Sequence, residues 1–284
     1  QLLQFKGMMS MNLFNKRKWL ALLLSIFVLA SAVYLSGCTS KDTDTSSTRD
    51  SSLVINALGD SITYGSGTDD SGNVYVNQVA EVLGADKVNN YGLPSSPISD
   101  TVNPALSKEE NENLSFLSRA PEMEKDADII FVFGGVNDYS LNVPMGDDDD
   151  DSAETFSGSL NLLFSGLEHD YPTSKIIALT PLKRYDQTGA NDEGYELEDY
   201  ANQISTIADK YAQVDSIDLY HAEELDFTHG GNKDYLVDGL HPNDDGQTKI
   251  ASYVTAALAS FGEVPIIRRN WLKLKFRDLL ASAF

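Results

Sequence analysis

The sequence is poor in cysteine, histidine and positive charge, and each scarcity removes a class of chemistry. A single cysteine, Cys38, stands among 284 residues, which excludes an intramolecular disulfide and any thiolate zinc cluster. The four histidines, His169, His221, His229 and His241, lack metal-ligand spacing, so no metal site is expected. Gly65-Ser66-Gly67 lacks the flanking residues of a phosphate loop, so no nucleotide or other cofactor is expected. Lys and Arg number 21 against 43 Asp and Glu, a net charge of −22. Phosphate backbones are bound by cations that displace their counterions, and nucleic acid is therefore set aside as a partner. Internal repeats are absent too. Apolar residues are plentiful: 42% of the chain is hydrophobic and 10% aromatic, enough to bury a sizeable core, so disorder throughout is excluded.

Charge is uneven along the chain. Residues 1–37 hold Lys6, Lys16, Arg17 and Lys18 and no acid, so the remainder is more acidic than the whole. Lys16-Arg17-Lys18 precedes an apolar run, 19–33. At about fifteen residues this run is short for a membrane span and has the layout of a signal-peptide core. Directly behind it, Leu35-Ser36-Gly37-Cys38 resembles the bacterial lipobox, in which the cysteine thiol receives a diacylglyceryl group before cleavage. The resemblance implies a signal peptide over 1–37, lipidation of Cys38, and anchoring to the outer face of the bacterial cytoplasmic membrane, with 38–51 as a polar tether. The alternative is an uncleaved N-terminal anchor with an incidental cysteine, and either places the body outside the cytoplasm. At the other end, 263–284 interleaves Arg268, Arg269, Lys273, Lys275 and Arg277 with Ile267, Trp271, Leu274 and Leu280. That is the pattern of a basic amphipathic helix on a membrane, or of an extension without a role.

Between these ends, 52–262 reads as one domain in which short apolar runs alternate with stretches of helical period. Strands are expected at 53–58, 87–91, 128–133, 175–179 and 214–219, the third β-branched and aromatic as a central strand should be. Val76, Val79, Ala80 and Leu83 recur at helical spacing and Gly84 closes that helix. Phe156 to Leu167, Leu197 to Tyr211 and Ile250 to Phe261 make three further stripes. Five strands with crossover helices predict an α/β fold: three layers around a mainly parallel, doubly wound, flavodoxin-like sheet, with the site beyond the carboxyl ends of the strands. The stretch 103–124 has no clear period and reads as a substrate-shaping insertion.

Three segments fall on that edge. Gly59-Asp60-Ser61-Ile62-Thr63 comes after the first strand and presents a hydroxyl; alone, such a serine is more often a helix cap. Gly134-Gly135-Val136-Asn137-Asp138 comes after the third strand and adds a side-chain amide. Asp238-Gly239-Leu240-His241-Pro242-Asn243 precedes the last helix and sets a carboxylate three residues before an imidazole. A serine hydroxyl is a poor nucleophile at neutral pH and needs a base within hydrogen-bond reach, a task that suits histidine.

In order and content these segments resemble the sequence blocks of the SGNH (GDSL-like) hydrolases: GDSI, GVND and DGLH. The resemblance spans 59–243. It implies Ser61 as nucleophile, His241 as base, Asp238 as the acid that orients it, and an oxyanion hole from the Ser61 N–H, Asn137 and a backbone donor in the second block. That block usually runs Asn-x-Gly-x-x-Gly, whereas Asn90-Tyr91-Gly92-Leu93-Pro94-Ser95 ends in serine, leaving Ser95 or Gly92 as the donor. The implied activity is cleavage of carboxylic esters outside the cytoplasm, with small acyl groups on carbohydrate, such as an acylated polysaccharide, as the expected substrate. Lysophospholipase, thioesterase and acyltransferase chemistry use the same triad, and a non-catalytic surface-binding lipoprotein is the reading of another class. His169 is expected at a helix end, His221 and His229 as loop residues lining a pocket, and the run Asp147 to Asp151 as a solvated loop.

Overall fold

The computed structural model of the chain describes residues 52–185, 189–229 and 234–261. Cys38 with its leader and tether, and the basic tail from 263, lie outside the described residues.

Strand β1 (Val54–Gly59) leads into a single turn, α1 (Ser61–Tyr64), then α2 (Tyr75–Leu83) and β2 (Lys87–Gly92). Two further single turns, α3 (Lys108–Asn111) and α4 (Phe116–Arg119), precede β3 (Ile129–Phe133). The chain continues through α5 (Val136–Ser140), α6 (Phe156–Asp170), β4 (Lys175–Leu179), α7 (Leu197–Ala208), β5 (Val214–Ile217) and α8 (Asp244–Ser260). The sheet runs β2-β1-β3-β4-β5 with every neighbouring pair parallel. This is the doubly wound order expected, and it is wholly rather than mainly parallel.

The three inner strands β1, β3 and β4 are buried on both faces because both are covered, whereas the edge strands β2 and β5 carry polar, partly exposed positions. In β3, Ile129, Phe131 and Phe133 point into the layer of α2 and α8, while Ile130 and Val132 point into that of α6 and α7. Phe131 is fully buried, and truncating a phenylalanine in such a place to alanine costs about 3–5 kcal/mol. Helix ends obey local chemistry. Gly84 adopts the left-handed conformation and returns its N–H to Ala80 and Glu81 carbonyls, ending α2. Asn243 accepts from the Gly246 N–H at 2.9 Å, and Asp244 and Asp245 complement the dipole of the first turn of α8.

Two boundaries differ from the sequence expectation. β5 stops at Ile217 rather than 219 because the N–H groups of Leu219 and Tyr220 turn onto Thr180 Oγ1, at 2.8 and 3.0 Å. α7 stops at Ala208 rather than 211, where the N–H groups of Lys210 and Tyr211 tighten to i−3 carbonyls. The sheet's carboxyl edge gathers α1, the loop after β2, α5 and the turn before α8.

Candidate active site

β1 ends at Gly59, and Asp60 caps the next turn: its Oδ1 accepts from the Ile62 N–H at 2.9 Å. Burial drives the Asp60 carboxyl up to about 7, against the pull of that N–H and the charge of His241. The cap places Ser61 first in α1, with only 7% of its surface exposed. From the other end of the chain, His241 Nε2 lies 2.9 Å from Ser61 Oγ, and its Nδ1 lies 2.7 Å from Asp238 Oδ2.

The Asp238–His241 turn is held by its own backbone. Asp238 Oδ1 accepts from His241 N–H at 2.8 Å and Leu240 N–H at 3.1 Å. Val237 N–H donates to His241 O at 2.9 Å, and Leu236 bridges Pro242. Gly67, with φ of 95°, packs under this turn; a Cβ there would stand 2.8 Å from Pro242 O, so only glycine fits. Burial pushes the Asp238 carboxyl up, but the His241 ring and backbone N–H bonds outweigh it and hold it below its ordinary value. It is therefore a carboxylate at neutral pH, and a carboxylate on Nδ1 keeps the proton there, leaving Nε2 to accept from the serine hydroxyl.

Asn137 sits in the first turn of α5, and its Nδ2 donates to Ser96 O at 3.0 Å. Its neighbour Asp138 is fully buried and accepts from the Ile98 and Ser99 N–H groups at 2.9 and 3.0 Å, binding the loop after β2 to α5. Burial pushes this carboxyl up, opposed by those same donors.

The geometry separates the two expected second-block donors. A Cβ on Gly92 would stand 2.2 Å from Tyr64 N, so its bare backbone lets β2 pack against α1. Its N–H is already engaged by Asn90 Oδ1 at 2.8 Å, while Asn90 Nδ2 donates to Thr63 O at 2.7 Å. Gly92 is thus a spacer, and the structure speaks against it as an oxyanion donor. Ser95 has φ of 65°, the left-handed region that glycine enters freely. The serine therefore departs from the family's glycine in side chain and keeps a glycine-like backbone.

Among the other histidines, His169 is exposed in the last turn of α6. His221 lies in a loop and is clamped there: Nδ1 lies 2.7 Å from Asp218 Oδ2 and Nε2 3.0 Å from Glu198 Oε1. Asp218 and His221 repeat the spacing of Asp238 and His241, yet a carboxylate occupies the place where the other imidazole meets a hydroxyl. His229 is exposed beside Thr228 and Asp226. The acidic run is tied down: Asp150 accepts from Ser152 N–H and Thr155 Oγ1, and Asp149 pairs with Lys210 at 2.7 Å.

Two residues escaped the sequence reading. Gln247 of α8 is fully buried, with Oε1 accepting from Tyr75 N–H at 2.9 Å and Nε2 donating to Ile62 O at 3.0 Å. A glutamine three residues before Ile250 on an otherwise apolar stripe was the available signal. Arg119, whose guanidinium reaches the ends of β1 and β2, lies in the segment that shows no period.

Known structures share this fold. A protein from Lactobacillus plantarum of solved structure is 28% identical over 73% of this chain and 97% of its own, with a TM-score of 0.62. A possible lipase from Chitinophaga pinensis is 24% identical, covering 74% and 99%, at 0.55. A salicylyl-acyltransferase of a tetracycline biosynthetic pathway is 17% identical, covering 80% of this chain and 58% of its own, at 0.55; the last two likenesses speak to fold. No curated protein matches the sequence. The model of the GDSL-like lipase/acylhydrolase family matches residues 57–249, from β1 into α8, and the chain therefore belongs to that family of hydrolases.

Proposed function

We propose that the protein cleaves carboxylic esters with Ser61 as nucleophile. The observation that carries this reading is the continuous contact from Ser61 Oγ to His241 Nε2 at 2.9 Å and from His241 Nδ1 to Asp238 Oδ2 at 2.7 Å. As Ser61 Oγ bonds to the ester carbon, His241 takes the hydroxyl proton, then gives it to the departing alkoxide as the C–O bond breaks. A water molecule, deprotonated by the same imidazole, releases the acid and restores the serine. Asp238 stays ionised throughout and stabilises the imidazolium. The backbone N–H groups of Ser61 and Ser95 and the second amide hydrogen of Asn137 receive the negative charge on the carbonyl oxygen.

The substrate class we favour is small acyl groups on carbohydrate, met outside the cytoplasm by a body tethered through a lipid on Cys38. Support for the location comes from the leader-like run and the lipobox-like segment behind it, and the substrate class follows from that location and from analogy with the family. Acyl transfer to a second alcohol would use the same groups, with that alcohol in place of water. Labelling with a fluorophosphonate tests the chemistry: wild type should react and Ser61→Ala should not. Equal labelling of the two ends the proposal. Aryl esters of increasing acyl length, run beside acetylated sugars, test the substrate class, which is lost if turnover climbs with chain length and acetylated sugars are untouched.

A further inference from the structure

Arg119 closes α4, and its guanidinium connects segments far apart in sequence. Nε donates to Leu114 O at 3.2 Å. Nη1 donates to Tyr91 O, near the end of β2. Nη2 donates to Gly59 O, the last carbonyl of β1, at 3.1 Å and to Ser96 Oγ at 3.0 Å. The group also lies over the Phe116 ring, 5.2 Å from its centroid. Ser96 Oγ passes its own hydrogen to Leu93 O at 2.5 Å, and Ser96 O holds Asn137 at 3.0 Å. One planar fork therefore ties the residue two before Ser61 to the loop that contains Ser95 and orients Asn137.

We propose that Arg119 is a positioning residue for the oxyanion hole, holding Ser95 in its left-handed backbone so that its N–H converges with those of Ser61 and Asn137. This inference rests on the ester-cleaving reading. Its physical core is that a non-glycine residue at positive φ persists only where its surroundings over-determine it. Here the restraint is visible on both sides: Leu93 N–H donates to Gly59 O at 3.0 Å, and Ser96 is gripped through its side chain by Arg119 and through its carbonyl by Asn137. Gly59 O receives both Leu93 and Arg119, so the loop is referenced to the strand that carries the nucleophile. A lysine would preserve the charge but, with three donors on one nitrogen, not the planar group that serves four acceptors at once.

Such a role makes an unusual demand: glycine at position 95 should render the arginine partly dispensable. The experiment measures kcat and KM for p-nitrophenyl acetate in wild type, Ser61→Ala, Arg119→Lys, Ser95→Gly and the Arg119→Lys/Ser95→Gly double variant, with thermal melts. Oxyanion contacts are made in the transition state, so Arg119→Lys should lower kcat by about tenfold or more while KM moves less than about twofold. Measured in the Ser95→Gly background, the same Arg119→Lys change should cost less than about threefold, an interaction that a double-mutant cycle isolates. An unchanged kcat in Arg119→Lys, or a loss of equal size in both backgrounds, overturns the inference. Should Arg119→Lys fail to fold, Ser96→Ala removes one acceptor of the fork in its place, and the same dependence on Ser95→Gly decides. Wild-type turnover no faster than that of Ser61→Ala would instead sink the ester-cleaving reading itself.

Discussion

Gln247 donates its side-chain amide to the carbonyl of Ile62, 3.0 Å away and 185 positions earlier, while its other end accepts the first N–H of α2. One buried side chain thus joins α8 to the turn that presents Ser61. Gln247→Leu keeps the volume but strands the Tyr75 N–H and the Ile62 carbonyl in the core. Each unpaired buried group costs about 1–3 kcal/mol, so urea denaturation should show a large drop in midpoint at unchanged slope. A shift within error would mean that water or a neighbouring group replaces the amide.

The triad and the oxyanion donors should separate by severity. Ser61→Ala and His241→Ala remove parts that act as a unit, and each should nearly abolish ester turnover. Asn137→Ala should cost about 10²- to 10³-fold in kcat with the fold retained. Steady-state kinetics with one aryl ester checks all three, and an Asn137→Ala enzyme of wild-type kcat would remove that amide from the oxyanion hole.

Ser95 at φ of 65° carries a backbone cost of about 1–2 kcal/mol that glycine does not. Glycine in turn frees the unfolded chain by up to about 1 kcal/mol. The balance makes Ser95→Gly neutral to mildly stabilising. Ser95→Val, β-branched and ill suited to this region, should melt several degrees lower. The order of the melting temperatures, glycine at or above serine and valine well below, is the result to look for; valine matching serine would contradict it.

Legibility of the fold and the site in the sequence tracks the range of the interactions. Strand β3 announced itself because a run buried on both faces leaves a continuous apolar signature in sequence. Ser61, Asp238 and His241 were legible through the order of three short blocks that resemble a known family, and such blocks stay short because the turns are local: Asp60 caps its own helix and Asp238 binds backbone three residues on. Arg119 and Gln247 were not, since their partners lie as much as 60 and 185 residues away and nothing nearby betrays them. The choice between Gly92 and Ser95 also needed coordinates, because it turns on a hydrogen bond from Gly92 to Asn90 and a single dihedral angle.

His221 supplies a pH signature separate from catalysis. The hydrogen bond to Glu198, more than the opposing burial, raises its pKa above 6.5, with Asp218 adding to the rise. A folded value above the unfolded one means that the stabilisation is complete below pH 6.5 and fades as pH climbs through the folded value. The pair is solvent-facing, so the amount is about 1 kcal/mol or less. His221→Gln should flatten the decline of stability above pH 6.5, as tracked by chemical denaturation at stepped pH. An identical decline in both proteins would assign it to other groups.

The five strands are complete at Ile217, whereas the imidazole that meets Ser61 arrives only at position 241. If Ser61 and His241 work as proposed, a nascent chain that has emerged to the end of the sheet owns its hydroxyl but not yet the imidazole that would take its proton. On the mechanism proposed above, reactivity waits for the loop that carries His241 and for α8, which covers one face of the sheet.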